Sequence, residues 1–213
     1  MILSPEKYET ALKRLKEAYP DVRPALVYSS PFELLVSTML AAQCTDKQVN
    51  KATAVLYPKY NTPEQFAGLT EEELEPYIRS CGFYHNKGKN IIAMSRILVS
   101  QYDGKVPEDR DVLMKLPGVG RKTANVVVSN AFHVPAIAVD THVFRVSNRM
   151  GLADAKDVLR TEEQLMEHIP KDDWSDAHHW LIYHGRQVCD AKKPACDRCC
   201  VACVCDTWNR SKE

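Results

Sequence analysis

Leu116-Pro117-Gly118-Val119-Gly120-Arg121-Lys122-Thr123-Ala124 joins two helical stretches through a turn holding one proline and two glycines. Pro107-Glu108 opens the stretch before it, which runs to Leu116, and residues 121–132 form the one after. Glycine reaches positive φ without strain and has no Cβ, so backbone here can come close to a ligand. The first amides of a helix lack intrahelical acceptors and carry the positive end of its dipole. A helix starting at Arg121, with Lys122 beside it, is therefore a ready anion site, and the natural anion is a phosphate. The plainer alternative is a tight corner between helices with incidental basic residues. A lone Gly-x-Gly would carry no more than that, whereas two flanking helices and adjacent cations favour the ligand.

Outward from this hairpin the chain reads as helix almost throughout. Ser4-Pro5 is an N-cap followed by proline at the first helical position, and Tyr8, Leu12, Leu15 and Tyr19 recur at helical spacing. Ser30-Pro31-Phe32-Glu33 reads as a capping box opening a largely apolar helix to about Gln43, which belongs in a core. Thr45-Asp46 caps a segment reaching Tyr57, and Thr62-Pro63 and Thr70-x-x-Glu73 start two short helices. Residues 86–102 put Ile91, Ile92, Ser95, Leu98 and Val99 on one face. Further segments fall at 141–150, 156–169 and 171–188, and only 136–139 hints at a strand. The expectation is an all-α fold of at least nine helices, without a repeat of fixed period.

Of the 213 residues, 45% are hydrophobic and 26% charged, a globular composition that excludes a disordered chain, collagen-like repeats and a coiled-coil rod. The longest mostly apolar stretch, 34–42, is far short of the ~20 residues that cross a bilayer. Met1-Ile2-Leu3 leads straight into mixed charge, with no signal-peptide pattern. A soluble, intracellular protein with no membrane partner is expected. Net charge is zero, 28 basic against 28 acidic residues, which argues mildly against a nucleic-acid partner. The average hides an asymmetry. Charged residues in 64–75 are all acidic, whereas 115–149 holds Lys115, Arg121, Lys122, Arg145 and Arg149 against Asp140 alone. One basic face belongs there.

Six of the eight cysteines fall between Cys189 and Cys205. Without signs of secretion, clustered thiols point to a metal rather than to disulfides. Cys189-x6-Cys196-x2-Cys199-x5-Cys205 offers four thiolates, as a [4Fe–4S] cluster requires. Zinc also accepts four, although its sites usually pair two short spacings and this set has one. Spacing leaves both metals open, and leaves Cys203 as a substitute for Cys205. Cys44, Cys81 and Cys200 read as small buried hydrophobes.

Lys122 and Asp140 are a second pair of interest. A lysine in the first turn of a helix, next to Arg121, sits where its own charge is disfavoured, which raises the fraction of neutral, nucleophilic amine. Asp140 precedes Thr141-His142-Val143-Phe144 as an N-cap. From the residues alone, a cap and a phosphate contact are the plainer roles.

With Leu40-Ala41-Ala42-Gln43, Gly82-Phe83-Tyr84, Ala138-Val139-Asp140-Thr141-His142-Val143-Phe144-Arg145 and the four-cysteine loop, the hairpin makes the chain resemble, nearly end to end, the helix-hairpin-helix base-excision DNA glycosylases of the bacterial endonuclease III family. The resemblance implies two helical domains with a DNA-binding cleft between them. A six-helix domain over residues 24–134 would carry the hairpin, and residues 1–23 with 135–213 would hold a [4Fe–4S] cluster, in place of zinc, on Cys189, Cys196, Cys199 and Cys205. Lys122 would be the nucleophile and Asp140 the catalytic carboxylate of a bifunctional glycosylase and AP lyase for damaged pyrimidines in double-stranded DNA. Adenine-specific mismatch relatives usually lack a lysine at this position. Gly118, Gly120 and Arg121 would hold a phosphate, and the carbonyls of Met114, Leu116 and Val119 a monovalent cation. Gln43 and Phe83 match positions that enter the base stack; the aromatic at Phe83 departs from the family's aliphatic residue and also reads as a core side chain. Thr141, His142, Arg145, Lys192 and Lys193 would contact DNA, with Arg145 and Arg149 alternatively a solvated helix face. His178-His179 would pack near the cluster rather than ligate. The protein would be a cytoplasmic, nucleoid-associated bacterial monomer.

Overall fold

Helix boundaries follow the capping residues. The computed structural model describes residues 1–211 and contains, among them, no strand. In chain order the helices are α1 (Pro5–Ala18), α2 (Pro31–Leu40), α3 (Asp46–Leu56), α4 (Pro63–Ala67), α5 (Glu71–Ile78), α6 (Tyr84–Gln101), α7 (Arg110–Leu113), α8 (Arg121–Ala131), α9 (Thr141–Met150), α10 (Val158–His168), α11 (Trp174–Gln187) and α12 (Asp206–Arg210). Single 3-10 turns lie at Arg79–Cys81, Lys171–Asp173 and Cys196–Arg198.

Thr62 and Thr70 form complete capping boxes with Gln65 and Glu73. Ser30 forms half of one. Its hydroxyl accepts from the Glu33 amide at 3.1 Å, but the Glu33 carboxylate turns to Ser29, accepting from its amide (2.6 Å) and hydroxyl (2.8 Å). The helix it opens ends at Leu40 rather than Gln43, because Gln43 sits in the left-handed region at φ 54°. The segment expected over 107–116 shrinks to the four residues of α7, since Asp109, not Pro107, supplies the cap, accepting from the Val112 amide at 2.8 Å. In α6, Val99 lies outside the buried face and is 39% exposed; Lys87, Gly88 and Met94 complete that face instead. Residues 136–139 form no strand. All four are buried, so the apolar run is a core-lining connector.

The chain divides into two compact units. In the first, Pro24–Val134, α2 is buried almost all round, and α8 and α6 pack on it. Phe32 and Phe66 meet edge to face at 5.3 Å among Leu34, Leu35, Ile91, Met94 and Leu98. Such an all-round apolar helix is stable only inside a core. In the second, Met1–Arg23 joins Pro135–Glu213: α1 packs on α11, and α11 on α9, around Tyr8, Leu15, Val143, Val146, Leu165 and Trp180. Gly185 permits the α9–α11 approach, since a Cβ there would lie 3.0 Å from the Val146 side chain and 3.1 Å from the His142 ring.

Burial in this unit, with Arg186 adding to it, pushes His179 down to about 4. Between that value and the ordinary histidine range the unfolded chain binds protons that the folded chain refuses, so stability falls as pH drops through this window. Thermal unfolding should show a lower Tm near pH 5 than near pH 7.5, with the loss setting in below about pH 6.5; a flat Tm would contradict it.

Candidate functional site

In the hairpin of the Pro24–Val134 unit, the backbone closes tightly after α7. Leu116 N–H donates to the Leu113 carbonyl (3.0 Å) and Val119 N–H to the Leu116 carbonyl (3.1 Å). Leu116 and Val119 are buried and anchor the turn. Gly118 adopts φ 74°, and a Cβ on it would lie 2.8 Å from Asn90 Cβ and 2.9 Å from Met39 Cε. It is therefore demanded by packing on α6 and α2. Gly120 differs: it N-caps α8 without a side chain, and a Cβ there would meet nothing within 4 Å. Backbone at the start of α8 is thus open to an incoming group. Lys122, in the first turn, is exposed, and Arg121 half-buried. The Leu116 carbonyl already accepts one bond and retains a lone pair for a cation; Met114 is 39% exposed.

The same unit brings the turns of Gln43 and Phe83 together. Phe83 is 66% exposed, which overturns the core reading, and its φ of 49° is rare for a bulky side chain. Such conformations persist only where surroundings enforce them. The enforcing residue is Lys87, which sequence reasoning missed. Only 8% exposed, it donates from Nζ to the Leu40 carbonyl and the Cys81 carbonyl, both at 2.8 Å. It thereby ties the end of α2, just before Gln43, to the turn just before Phe83. A buried lysine offers no periodicity signal; its one clue was a charged residue on the apolar face of α6.

In the other unit, Asp140 caps α9: its Oδ1 accepts from the Val143 amide at 2.8 Å, and the residue is half-buried. Thr141 is exposed beside it. Arg145, expected at DNA, faces inward. Its guanidinium donates to the Cys189 carbonyl (3.3 Å from Nε, 3.1 Å from Nη2), to the Gly185 carbonyl (3.0 Å) and to His142 Nδ1 (3.1 Å). Since guanidinium only donates, that His142 nitrogen accepts. Arg149 acts alike, donating to the carbonyls of Asp190 (2.6 Å) and Ala191 (2.7 Å). Neither arginine forms a solvated face: both grip the loop after α11. Asp190 Oδ1 folds that loop further by accepting from the Lys192 and Lys193 amides, which holds its carboxyl below the usual range. The side chains of Lys192 and Lys193 remain exposed.

Cys189, Cys196, Cys199 and Cys205 line one cavity, with Met150, Val188, Ala202 and Trp208 among its apolar walls. Cys200 and Cys203 are not on it; of Cys203 and Cys205, which spacing left open, only Cys205 lines the cavity. The thiols surround the cavity; among the described residues no three metal-binding side chains converge on a point that one ion would fill. Burial pushes the thiols of Cys196 and Cys205 up and that of Cys199 up to about 12. His184 bridges Tyr19 (3.0 Å to Nδ1) and Cys199 Sγ (3.4 Å from Nε2). His178 and His179 are buried in α11 and do not line the cavity.

Comparison with known proteins finds one family. Residues 36–171 match the family model described as HhH-GPD superfamily base excision DNA repair protein. Endonuclease III of Bacillus subtilis is 50% identical over 205 residues, covering 96% of this chain and 94% of that protein. Endonuclease III of Escherichia coli K12 is 51% identical, covering 92% of each. A solved trapped endonuclease III–DNA covalent intermediate superposes with a TM-score of 0.94 at 48% identity over all of both chains. A thermostable thymine-DNA glycosylase, 22% identical, shares the fold with a TM-score of 0.88 over 96% of this chain and 98% of that one.

Replacing Gly118 by alanine adds a Cβ against Asn90 and Met39 and forces a left-handed backbone. Gly118→Ala should cost on the order of 3 kcal/mol in urea unfolding. A cost below about 1 kcal/mol would show that the hairpin relaxes freely.

Proposed function

The chain belongs to the HhH-GPD superfamily of base excision DNA repair proteins, and we propose that within it Lys122 and Asp140 carry out the two linked reactions of an endonuclease III. The enzyme is a DNA glycosylase and AP lyase that removes damaged pyrimidines from duplex DNA and cuts the strand 3′ to the abasic site. The reading is carried by near-full-length similarity to a protein trapped covalently on DNA, together with an exposed amine at Lys122 on an open helix start.

The damaged base leaves the stack to be reached, more cheaply where stacking or pairing is already weak. The α8 amides and Arg121 hold a phosphate, with the Met114, Leu116 and Val119 carbonyls binding a monovalent cation at the turn. Gln43 and Phe83 fill the gap in the stack. Asp140, its Oδ1 fixed by Val143 N–H, offers its other oxygen to positive charge growing on the sugar as the base departs. The Lys122 amine attacks C1′ as the base leaves, and the sugar ring then opens: the C1′–O4′ bond breaks, O4′ takes the amine's proton, and the resulting Schiff base acidifies the C2′ proton. Loss of that proton and of the 3′ oxygen by β-elimination breaks the strand, and water then releases Lys122.

Four thiols around an apolar cavity fit a [4Fe–4S] cluster, which draws them into the thiolate form that burial alone opposes. When bound, the cluster supplies a rigid centre for the chain after α11. A Cys199 thiolate has no proton to give, so His184 Nε2–H faces it while Nδ1 accepts from Tyr19. Arg145, Arg149 and the Ala195 amide, which donates to the Val188 carbonyl at 2.9 Å, hold the loop that presents Lys192 and Lys193 to phosphates. We place the enzyme as a monomer in the cytoplasm, at the nucleoid.

Borohydride should trap the protein on abasic or thymine-glycol duplex. Lys122→Gln should abolish the adduct and lower strand cleavage by on the order of a hundredfold or more; an adduct that survives the substitution would overturn the assignment. The purified protein should be brown, with visible absorbance lost in Cys196→Ser and kept in Cys203→Ser. A colourless preparation with stoichiometric zinc would overturn the cluster.

A further inference from the structure

We propose that Lys87 is a positioning residue for damage recognition: its ammonium locks the turns of Gln43 and Phe83 into one two-pronged unit, so that both side chains enter the duplex together where the damaged base has left. Lys87 joins the two, and its role therefore rests on the stack-filling roles proposed for Gln43 and Phe83. Three hydrogen bonds make the joint. Lys87 Nζ donates to the carbonyl of Leu40, the last residue of α2, and to the carbonyl of Cys81, each at 2.8 Å. Its backbone amide donates to the Phe83 carbonyl at 3.1 Å. One residue thus holds the Phe83 turn on both sides, at Cys81 and at Phe83 itself, and fastens it to the chain just before Gln43.

Neither turn is held by burial of its own tip. Gln43 is exposed, Cys44 is half-exposed rather than in the core as expected, and Phe83 is 66% exposed. Phe83 starts α6 without a side-chain cap. Gln43 at φ 54° and Phe83 at φ 49° both stand in the left-handed region, a conformation that relaxes unless its surroundings hold it. Relaxation at either turn would re-aim its side chain.

A lysine is a costly way to fill this space. Lys87 is 8% exposed, burial pushes its amine below the ordinary lysine value, and among the described residues no carboxylate pairs with it. A buried ammonium facing only carbonyl dipoles opposes folding, whereas a methionine of similar length would sit on the apolar face of α6 without that cost. What the lysine adds is reach and three donors on one atom, enough to bind carbonyls from two turns at once. A wedge already formed before binding is an advantage, because ordering two loose turns during binding would be subtracted from affinity. Loss of Lys87 therefore falls on how tightly a duplex with a vacated base position is held, and much less on how fast Lys122 reacts once it is held.

The test compares cluster-loaded wild type, Lys87→Met, the pair Gln43→Ala with Phe83→Ala, and all three substitutions together, on a duplex carrying a tetrahydrofuran abasic analogue that Lys122 cannot open. Lys87→Met should weaken binding about tenfold, within the range for coupled neighbours. On a thymine-glycol duplex KM should rise by a like factor, with kcat changed less than about threefold. In the protein already lacking both side chains the same substitution should cost less than about twofold. Hydrogen exchange read by mass spectrometry should rise in peptides spanning 41–45 and 80–84 and not in 118–125. Should Lys87→Met fail to fold, Lys87→Gln, too short to span both carbonyls, takes its place with the same expected results. An equal loss in the protein lacking both side chains, a kcat loss as large as the rise in KM, or unchanged exchange at the two turns would each overturn the role of Lys87 and leave the roles of Gln43 and Phe83 standing. A Gln43→Ala, Phe83→Ala protein that binds like wild type would instead remove those roles, and that of Lys87 with them. Borohydride trapping by the wild type tests the glycosylase reading independently.

Discussion

A helix leaves its first amides and last carbonyls without internal partners, and the way this chain satisfies them fixes where its chemistry sits. Thr45, Thr62, Thr70, Asp109 and Asp157 cap their own helices and do no more than build scaffold. Asp140 caps α9 with one carboxylate oxygen and keeps the second for other work. Gly120 has no side chain with which to cap α8, so the hairpin presents a helix start beside Arg121 and Lys122. At the opposite end of a helix, the Leu40 carbonyl receives the buried ammonium of Lys87, a cation placed where the dipole of α2 is negative. The proposed anion site, the proposed acid and the strained turns are all consequences of helix ends.

Residues whose partners lie close in sequence were legible. The Thr62 and Thr70 boxes, the Asp140 cap and the start of α8 follow from side chains reaching two or three residues along the backbone. Ser30 shows the limit even there, because Glu33 had a competing acceptor role toward Ser29 that no spacing rule distinguishes. The cysteine set was legible as spacing but ambiguous at Cys203 and Cys205, since the choice depends on which sulfur faces the cavity.

What the sequence hid is long-range. Arg145 and Arg149 lie at i and i+4, which fixes that they share a face of α9 but not what that face meets. The structure gives it the carbonyls of Cys189, Asp190 and Ala191, some forty residues away. Lys87 escaped notice for the same reason: its partners, Leu40 and Cys81, sit in separate turns. Phe83 as a wedge or a core residue could not be decided by its hydrophobicity, because the deciding quantity is a backbone φ near 49° that turns the ring outward.

The arginine grip gives α9 a mechanical role. Its first turn carries Asp140, and its later turns hold the Cys189 loop through three backbone carbonyls, so one rigid rod connects the proposed acid to the chain around the thiols. Gly185 lets α11 lie close enough for Arg145 to reach both His142 and the loop. A carbonyl clamp of this kind answers to whether the loop keeps its path, because each carbonyl must stay within hydrogen-bonding distance of a guanidinium whose own helix fixes its position. Order at the thiols is thereby converted into order at Asp140 and at the exposed Lys192 and Lys193, through hydrogen bonds alone.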